Sequence, residues 1–494
     1  MSTLYWYDYE TYGVSAVKDR PVQFGGIRTT YDLEIINEPD VLYCRLPIDY
    51  LPSVEACLIH RHTPLSVANL AICEAEFAQA IHTLLSHPES CAVGYNAMRF
   101  DHVLTQHLLY RNLQDPYGWH WRNGNSKWDI IDLLRAACAF RPEGIEWPLN
   151  DDGISSFRLG DLASANRIVL ESAHDAVSDV KTTIDLARLV KSTQPRLYDY
   201  FFSLRDKSKV RDIACTRSRK PIVHTSSMFR SEYLNTSLVL PLAPHPTIRD
   251  ATIVYDLRSD PSSCLKLSSE EMQKLLFTRT SDMPKGATRP ALKVIHHNRC
   301  PFVALGSLVT TSVAERISIT LELVESYADR ILKSPSFIEN AQACYKASNS
   351  TGLENRNSDV DYALYEGGFV SDGDRSLLED WLEQPVENLS KSIPKFNDYR
   401  LPELAFRYVA RNYPDLLLER DAAKWQTHCR TKLLEGDEGD LSRYEQFCQD
   451  LLNLKASLLP DDEKGKRILD ELCCLRDEVN AFLSNGNSQI QAGV

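Results

Sequence analysis

Asp8, Tyr9 and Glu10 stand at the end of an apolar, aromatic run that begins at Leu4. Such a run reads as a strand, and its period-2 alternation puts both carboxylates on one face. Two carboxylates held that close repel each other unless a cation lies between them. A pair of this kind is common by itself. Glu74 and Glu76 form another, and favourable charge at a helix N-terminus explains them well enough. Two later stretches set the first pair apart. In residues 94–101 (GYNAMRFD) a strand gives way to a polar loop, and a helix opens on Asp101, which taken alone reads as an N-cap. In residues 173–179 (AHDAVSD) His174 precedes Asp179 by five positions, near the start of a long helix that Ser172 or Asp175 could cap. Asp179 lies a turn deeper, followed by an apolar face with Ile184 and Ala187, and a metal ion would account for it there.

Four carboxylates from three segments could hold two divalent cations about 3.5–4 Å apart, the arrangement for in-line phosphoryl transfer. Asp8 would be the best candidate to bridge both ions, with Glu10, Asp101 and Asp179 completing the ligands. An all-oxygen set beside a phosphate favours Mg²⁺, with Mn²⁺ as a substitute. One ion would make a bound water acidic and the other would stabilise the leaving oxygen. An imidazole suits the general base for that water at neutral pH, and His174 is the candidate.

The elements that must position these residues are legible. Leu4–Asp8, Gln23–Thr30, Asp32–Ile36, Val41–Arg45 and Cys91–Tyr95 read as strands, with a turn at Thr30–Asp32. Helical spacing appears in Glu74–Ser86, Asp101–Tyr110, Asp129–Ala139 and Ala173–Lys191. Strands interleaved with helices imply one layered α/β sheet. From Thr193 onward the texture turns β-rich, at Ser237–Leu242, Ala251–Leu257, Ala291–His296 and Phe302–Leu305, with a helix over Ser312–Lys333. The polar stretch 347–359 reads as a linker, the rest as helical, and the tail 486–494 as frayed.

The 494 residues allow about three domains at roughly 150 residues each. A composition 43% apolar and 25% charged excludes long disorder, collagen and coiled coil. No run of 18 apolar residues exists to span a bilayer as a helix. The start, MSTLYWYDYE, shows neither a basic nor an apolar leader region, so no secretory signal is expected. Thirteen cysteines without a C-x-x-C pair fit buried, reduced thiols better than disulfides or a zinc finger.

The net charge of −13 argues against a nucleic-acid partner until it is mapped. Residues 1–192 carry 16 Lys/Arg against 25 Asp/Glu, residues 193–350 carry 22 against 15, and residues 351–494 carry 17 against 28. A basic middle thus lies between two acidic segments. It opens on its densest run, Arg205, Lys207, Lys209, Arg211, Arg217, Arg219 and Lys220.

The order Asp-x-Glu, then Asp, then His-x-x-x-x-Asp resembles the DEDDh branch of the DEDD 3′–5′ exonucleases. More closely, the chain resembles the exodeoxyribonuclease I family. The stretches that carry the likeness are DYETYG, DRPVQFGGIRT, GYNAMRFD, YRNLQDPYGWHW, RPEGIEWP, DDGISSFRL and AHDAVSDV, with YDYFFSLRDK and KPIVHTSSMF beyond them. It is motif-specific over about the first 230 residues and weaker afterwards. The resemblance implies a ribonuclease-H-like exonuclease domain (1–192), an SH3-like basic domain (193–350) and a C-terminal helical domain (354–485). It also implies a monomer of the bacterial cytoplasm that degrades single-stranded DNA from the 3′ end to 5′-mononucleotides, in repair and recombination.

For the substrate, Arg158 matches a position where the family contacts DNA, and its guanidinium could clamp the terminal phosphate bidentately. Glu10 would also touch the terminal nucleotide. Single strands are held by aromatic stacking beside a positive groove. Tyr117, Trp119, Trp121 and Trp128 place four large aromatics within twelve residues, too many merely to cover a core, although one or two of them are expected to pack. Tyr117, Trp121 and Arg135 match family DNA positions, Trp128 is a further stacking candidate, and Lys207 would extend the track. The family engages the acidic C-terminal tail of single-stranded DNA-binding protein. Arg141, Tyr200 and Lys220 fit a receptor with a basic rim and a small apolar pocket.

Three rival readings compete. An RNA-trimming exonuclease shares the acidic set but is a short single-domain chain. A nucleic-acid-binding scaffold with a silent site is disfavoured because every acid is present. A glycosidase using paired carboxylates needs neither the histidine nor the basic middle.

Overall fold

The structure, a computed structural model, describes residues 2–346, 359–436 and 441–484. The linker expected at 347–359 and the frayed tail therefore lie almost wholly outside the described residues. The chain divides into two bodies. The first comprises Met1–Ser126, Glu171–Lys181 and Asn357–Val494, the second Lys127–Leu170 and Thr182–Arg356.

The first body is built on a mixed sheet of β1 (Thr3–Thr11), β2 (Pro21–Thr29), β3 (Asp40–Cys44), β4 (Ala71–Ile72) and β5 (Ser90–Gly94), ordered β4-β3-β2-β1-β5. The strand β6 (Ser126–Asp129) follows where the chain passes from the first body into the second. β1 is central, antiparallel to β2 and parallel to β5. Its alternation decides everything nearby. Tyr5, Tyr7 and Tyr9 turn to one face, where they pack with Phe24, Phe77, Ile81, Leu104, Leu108 and Trp119. Asp8 and Glu10 turn to the other, half-buried. The helices Glu74–Leu85 and Asp101–Arg111 keep their expected bounds within a residue. Asp32–Ile36 is not a strand. Leu33 takes a left-handed φ of 67°, and only an isolated bridge joins Ile35 to Thr29.

The C-terminal helices share cores with this sheet. Phe447, Leu451, Leu469 and Leu472 pack with Tyr12, Val22 and Val54, while Trp381, Leu404 and Tyr408 pack with Tyr110 and Leu113. Beneath them lies a buried ion network. Arg411 bonds Asp49 and Asp361, Lys432 reaches both carboxylates, and Arg111 holds Glu74 at 2.6 Å.

The second body contains a five-stranded antiparallel sheet of β7 (Ile222–Thr225), β8 (Thr236–Pro244), β9 (Ala251–Asp256), β10 (Leu292–His296) and β11 (Phe302–Leu305), ordered β10-β9-β8-β7-β11. The helix expected over Ser312–Lys333 is two, Thr311–Arg316 and Leu321–Leu332, broken where Ser318 takes a φ of 51°.

Candidate active site

Three elements of the first body deliver the acidic residues. β1 carries Asp8 and Glu10 on its open face, and a register shift just beyond Glu10 ends the regular pairing. Asp101 opens the Asp101–Arg111 helix as its first helical residue; the N-cap is Phe100, not Asp101 as its isolated reading had it. A hydrogen-bond chain ties that helix start to the strand. Tyr9 donates its hydroxyl to Thr105 Oγ1 at 3.0 Å, and Thr105 donates to the Asp101 carbonyl at 2.7 Å. The third element is the Ala176–Thr193 helix, with Asp179 in its first turn and Asp175 as its cap, accepting from the Ser178 N–H at 3.0 Å.

Glu10, His174 and Asp179 each bring a ligand atom to within 4.8 Å of the others. His174 is exposed and holds a left-handed φ of 60°, a conformation that a non-glycine residue keeps only under outside constraint. Asp8 and Asp101 belong to the same cluster electrostatically. Burial, then Asp101, Glu10 and Asp179, push the Asp8 carboxyl well above the ordinary range. Burial and the charges of Asp179, Asp101 and Asp175 raise Glu10 to about 8, and burial with Asp175 raises Asp179 to about 7. Without a cation these groups cannot all ionise together. The donor set therefore fits divalent, oxygen-seeking ions, whose charge would bring the carboxylates into their ionised forms.

Family models match along the chain: Exonuclease over residues 5–187, Exonuclease I SH3-like domain over 205–347, and Exonuclease I C-terminal domain over 358–477. The Escherichia coli K12 protein named exodeoxyribonuclease I is 41% identical over 430 residues, covering 87% of this chain and 89% of that protein. The chain belongs to the exodeoxyribonuclease I family. It is an exonuclease with an SH3-like domain and a C-terminal helical domain. The fold is similar to E. coli exonuclease I solved with a dA16 oligonucleotide, with a TM-score of 0.90 at 38% identity over 97% of this chain and 100% of that one. It is similar also to exonuclease I solved with SSB and an inhibitor, with a TM-score of 0.88 at 37% identity over 97% and 99%.

The remaining candidates divide between exposed and committed side chains. Of the four aromatics, Trp119 and Trp128 are 1% exposed. Trp128 is a correction to the sequence reading. Its ring is enclosed by Tyr198, Phe201 and Phe202, so no base can stack on it. Trp121 is 58% exposed, with the Arg122 guanidinium 5.2 Å from its ring. Tyr117 is half-buried and meets Phe369 edge-on at 5.6 Å. Arg135 is bonded to Asp132 at 2.8 Å and is only 12% exposed in its side chain. Lys207 shares Asp250 with Arg211. Arg158 is exposed and caps the Leu159–Ala165 helix. Arg141 and Lys220 are exposed; Tyr200 is half-buried and donates its hydroxyl to the Val303 carbonyl at 2.9 Å. Phe302 packs against both Tyr200 and Phe140, the neighbour of Arg141.

Sequence reasoning missed Gln23 and Gly25 of β2. A Cβ at Gly25 would come within 2.7 Å of the Ala176 and Val177 backbone, so only glycine lets the Ala176–Thr193 helix sit so close over the strand. Only the strand register reveals them, because Gly25 pairs with Asp8 and Gln23 with Glu10.

Proposed function

We propose that this chain is a single-strand-specific 3′→5′ exodeoxyribonuclease that releases 5′-mononucleotides, serving DNA repair and recombination in the bacterial cytoplasm as a monomer. The gathering of Glu10, His174 and Asp179 within 4.8 Å, beside Asp8 and Asp101, carries this reading. Its domains are 1–192, 193–350 and 354–485.

Asp8, Glu10, Asp101 and Asp179 would hold two Mg²⁺ ions, or Mn²⁺ in their place. Bound there, the cations supply an acidified water and charge stabilisation for the leaving oxygen. His174, exposed to solvent beside Glu10 and Asp179, takes the proton of the attacking water on its imidazole. Glu10 also meets the terminal nucleotide, and Arg158 clamps the terminal phosphate. Trp121 and Tyr117 stack bases, and Arg135 and Lys207, each also paired with a carboxylate, face the phosphates. Without a code for base edges, the groove reads strandedness rather than sequence. Arg141, Tyr200 and Lys220 receive the acidic tail of single-stranded DNA-binding protein.

Matched DNA and RNA oligomers, single-stranded and duplex, labelled at either end, test the reading. Fastest loss of the 3′ label from single-stranded DNA is expected, and preference for RNA or duplex would replace the assignment. For the partner, Arg141→Ala should weaken binding of a tail peptide at least tenfold and spare naked-strand hydrolysis; unchanged peptide affinity would place the receptor elsewhere.

A further inference from the structure

Beside the catalytic carboxylates, β2 carries a side chain that no step of the reaction uses. Gln23 pairs with Glu10 on β1 and with Tyr43 on β3. Directly opposed residues share a face of a sheet, so the three side chains form a row on the face that bears the acids. Gln23 is 1% exposed, and two of its three hydrogen bonds go to the turn that precedes Asp179. Its Nε2 donates to Asp175 Oδ2 at 2.8 Å and to the Tyr43 hydroxyl at 3.2 Å, while its Oε1 accepts from the Ala176 N–H at 3.1 Å. Asp175 uses its other oxygen to cap the helix at Ser178. One buried amide therefore grips the residue after His174 and the first residue of the Asp179 helix. Gly25, two positions along the same strand, admits the helix backbone at contact distance.

The chemistry of the site demands an amide. It must donate to a carboxylate and accept from a backbone N–H within one side chain, and Gln offers both. A glutamate of the same shape would set carboxylate against carboxylate, and an apolar residue would leave a buried N–H unpaired. We propose that Gln23 is a positioning residue whose amide fixes the His174–Asp175 turn and so places His174 and Asp179 over the strand that bears Asp8 and Glu10. The inference rests on the reading of those two residues as base and metal ligand.

A swapped pair tests it. In the full chain, Gln23→Glu should lower kcat at least tenfold and leave KM for a single strand within threefold. The double variant Gln23→Glu with Asp175→Asn exchanges donor and acceptor, since the new asparagine amide faces the new carboxylate, and should return kcat to within threefold of the parent. A role in packing alone gives no such rescue. A double variant as slow as the single one, melting at the parent's temperature, would overturn the proposal, as would parental kcat in Gln23→Glu. Should Gln23→Glu not fold, Gln23→Met keeps the volume without the polar atoms; a tenfold lower kcat supports the proposal and parental kcat overturns it. Failure of the underlying reading would show separately, as parental turnover in Asp179→Ala.

Discussion

Glu10 and Asp179 hold protons up to about pH 8 and pH 7, because burial and neighbouring carboxylates disfavour their ionised forms. Between the ordinary carboxylate range and those values the folded protein binds more protons here than the unfolded chain does. Metal-free stability contributed by this cluster therefore falls as pH rises through that window. A divalent cation favours the ionised forms and offsets the loss. The rise in melting temperature on adding Mg²⁺ should accordingly be larger at pH 8 than at pH 6, as thermal melts would record; equal rises would contradict the cluster's electrostatics. His174→Ala should slow hydrolysis about 10²–10⁴-fold, the usual worth of a general base, while strand binding measured by anisotropy stays near the parent's. A loss under threefold at every pH would remove it from the mechanism. The residue types and order announced these acids. What the sequence concealed was Gln23, because a glutamine in a strand carries no signal until its register opposite Glu10 is known.

At the scale of elements, the site is a strand face roofed by a helix start. The strands β1, β2, β3 and β5 and the helices around them were legible because their apolar periodicity coincides with real burial. Asp32–Ile36 has the same alternation but extends past Leu33, whose left-handed φ turns the chain away from the ladder. The Ser312–Lys333 pattern keeps helical spacing across a break that φ at Ser318 imposes and no residue type announces. Trp128 was misread for a related reason: aromatic density near a charged loop looks alike whether the ring faces solvent or, as here, three other aromatics. The close seating of the Ala176–Thr193 helix on Gly25 yields a prediction of its own. Gly25→Ala places a methyl at 2.7 Å from the helix backbone, and overpacking of that kind costs about 1–3 kcal/mol. Its kcat should fall at least tenfold with the fold retained, by turnover and circular dichroism; unchanged kcat would show the helix free to shift.

Across the whole sequence, the N- and C-terminal segments of the first body are joined by a link that composition could not reveal, since its acidic and basic residues meet only after folding. Asp49, Glu74 and Asp361 sit buried among Arg20, Arg111, Arg411 and Lys432. Despite burial, these cations hold all three carboxylates below their ordinary range. Their stabilisation is present above the unfolded carboxylate pKa and is lost as pH falls through the depressed folded values. Arg411→Ala would leave Asp49 and Asp361 short of a partner and should cost about 3–5 kcal/mol in denaturant titrations; a cost below about 1 kcal/mol would mean that water enters the network. On the proposed reading the acidic first segment holds metal and the basic second segment meets phosphates, so strand affinity should fall steeply with salt. The most direct test of the account follows a single strand labelled at its 3′ end, with Mg²⁺, in the presence of the parent protein or Asp8→Ala. The account predicts rapid release of labelled 5′-mononucleotide by the parent and none by Asp8→Ala, which still binds the strand; release by Asp8→Ala at the parent's rate would contradict it.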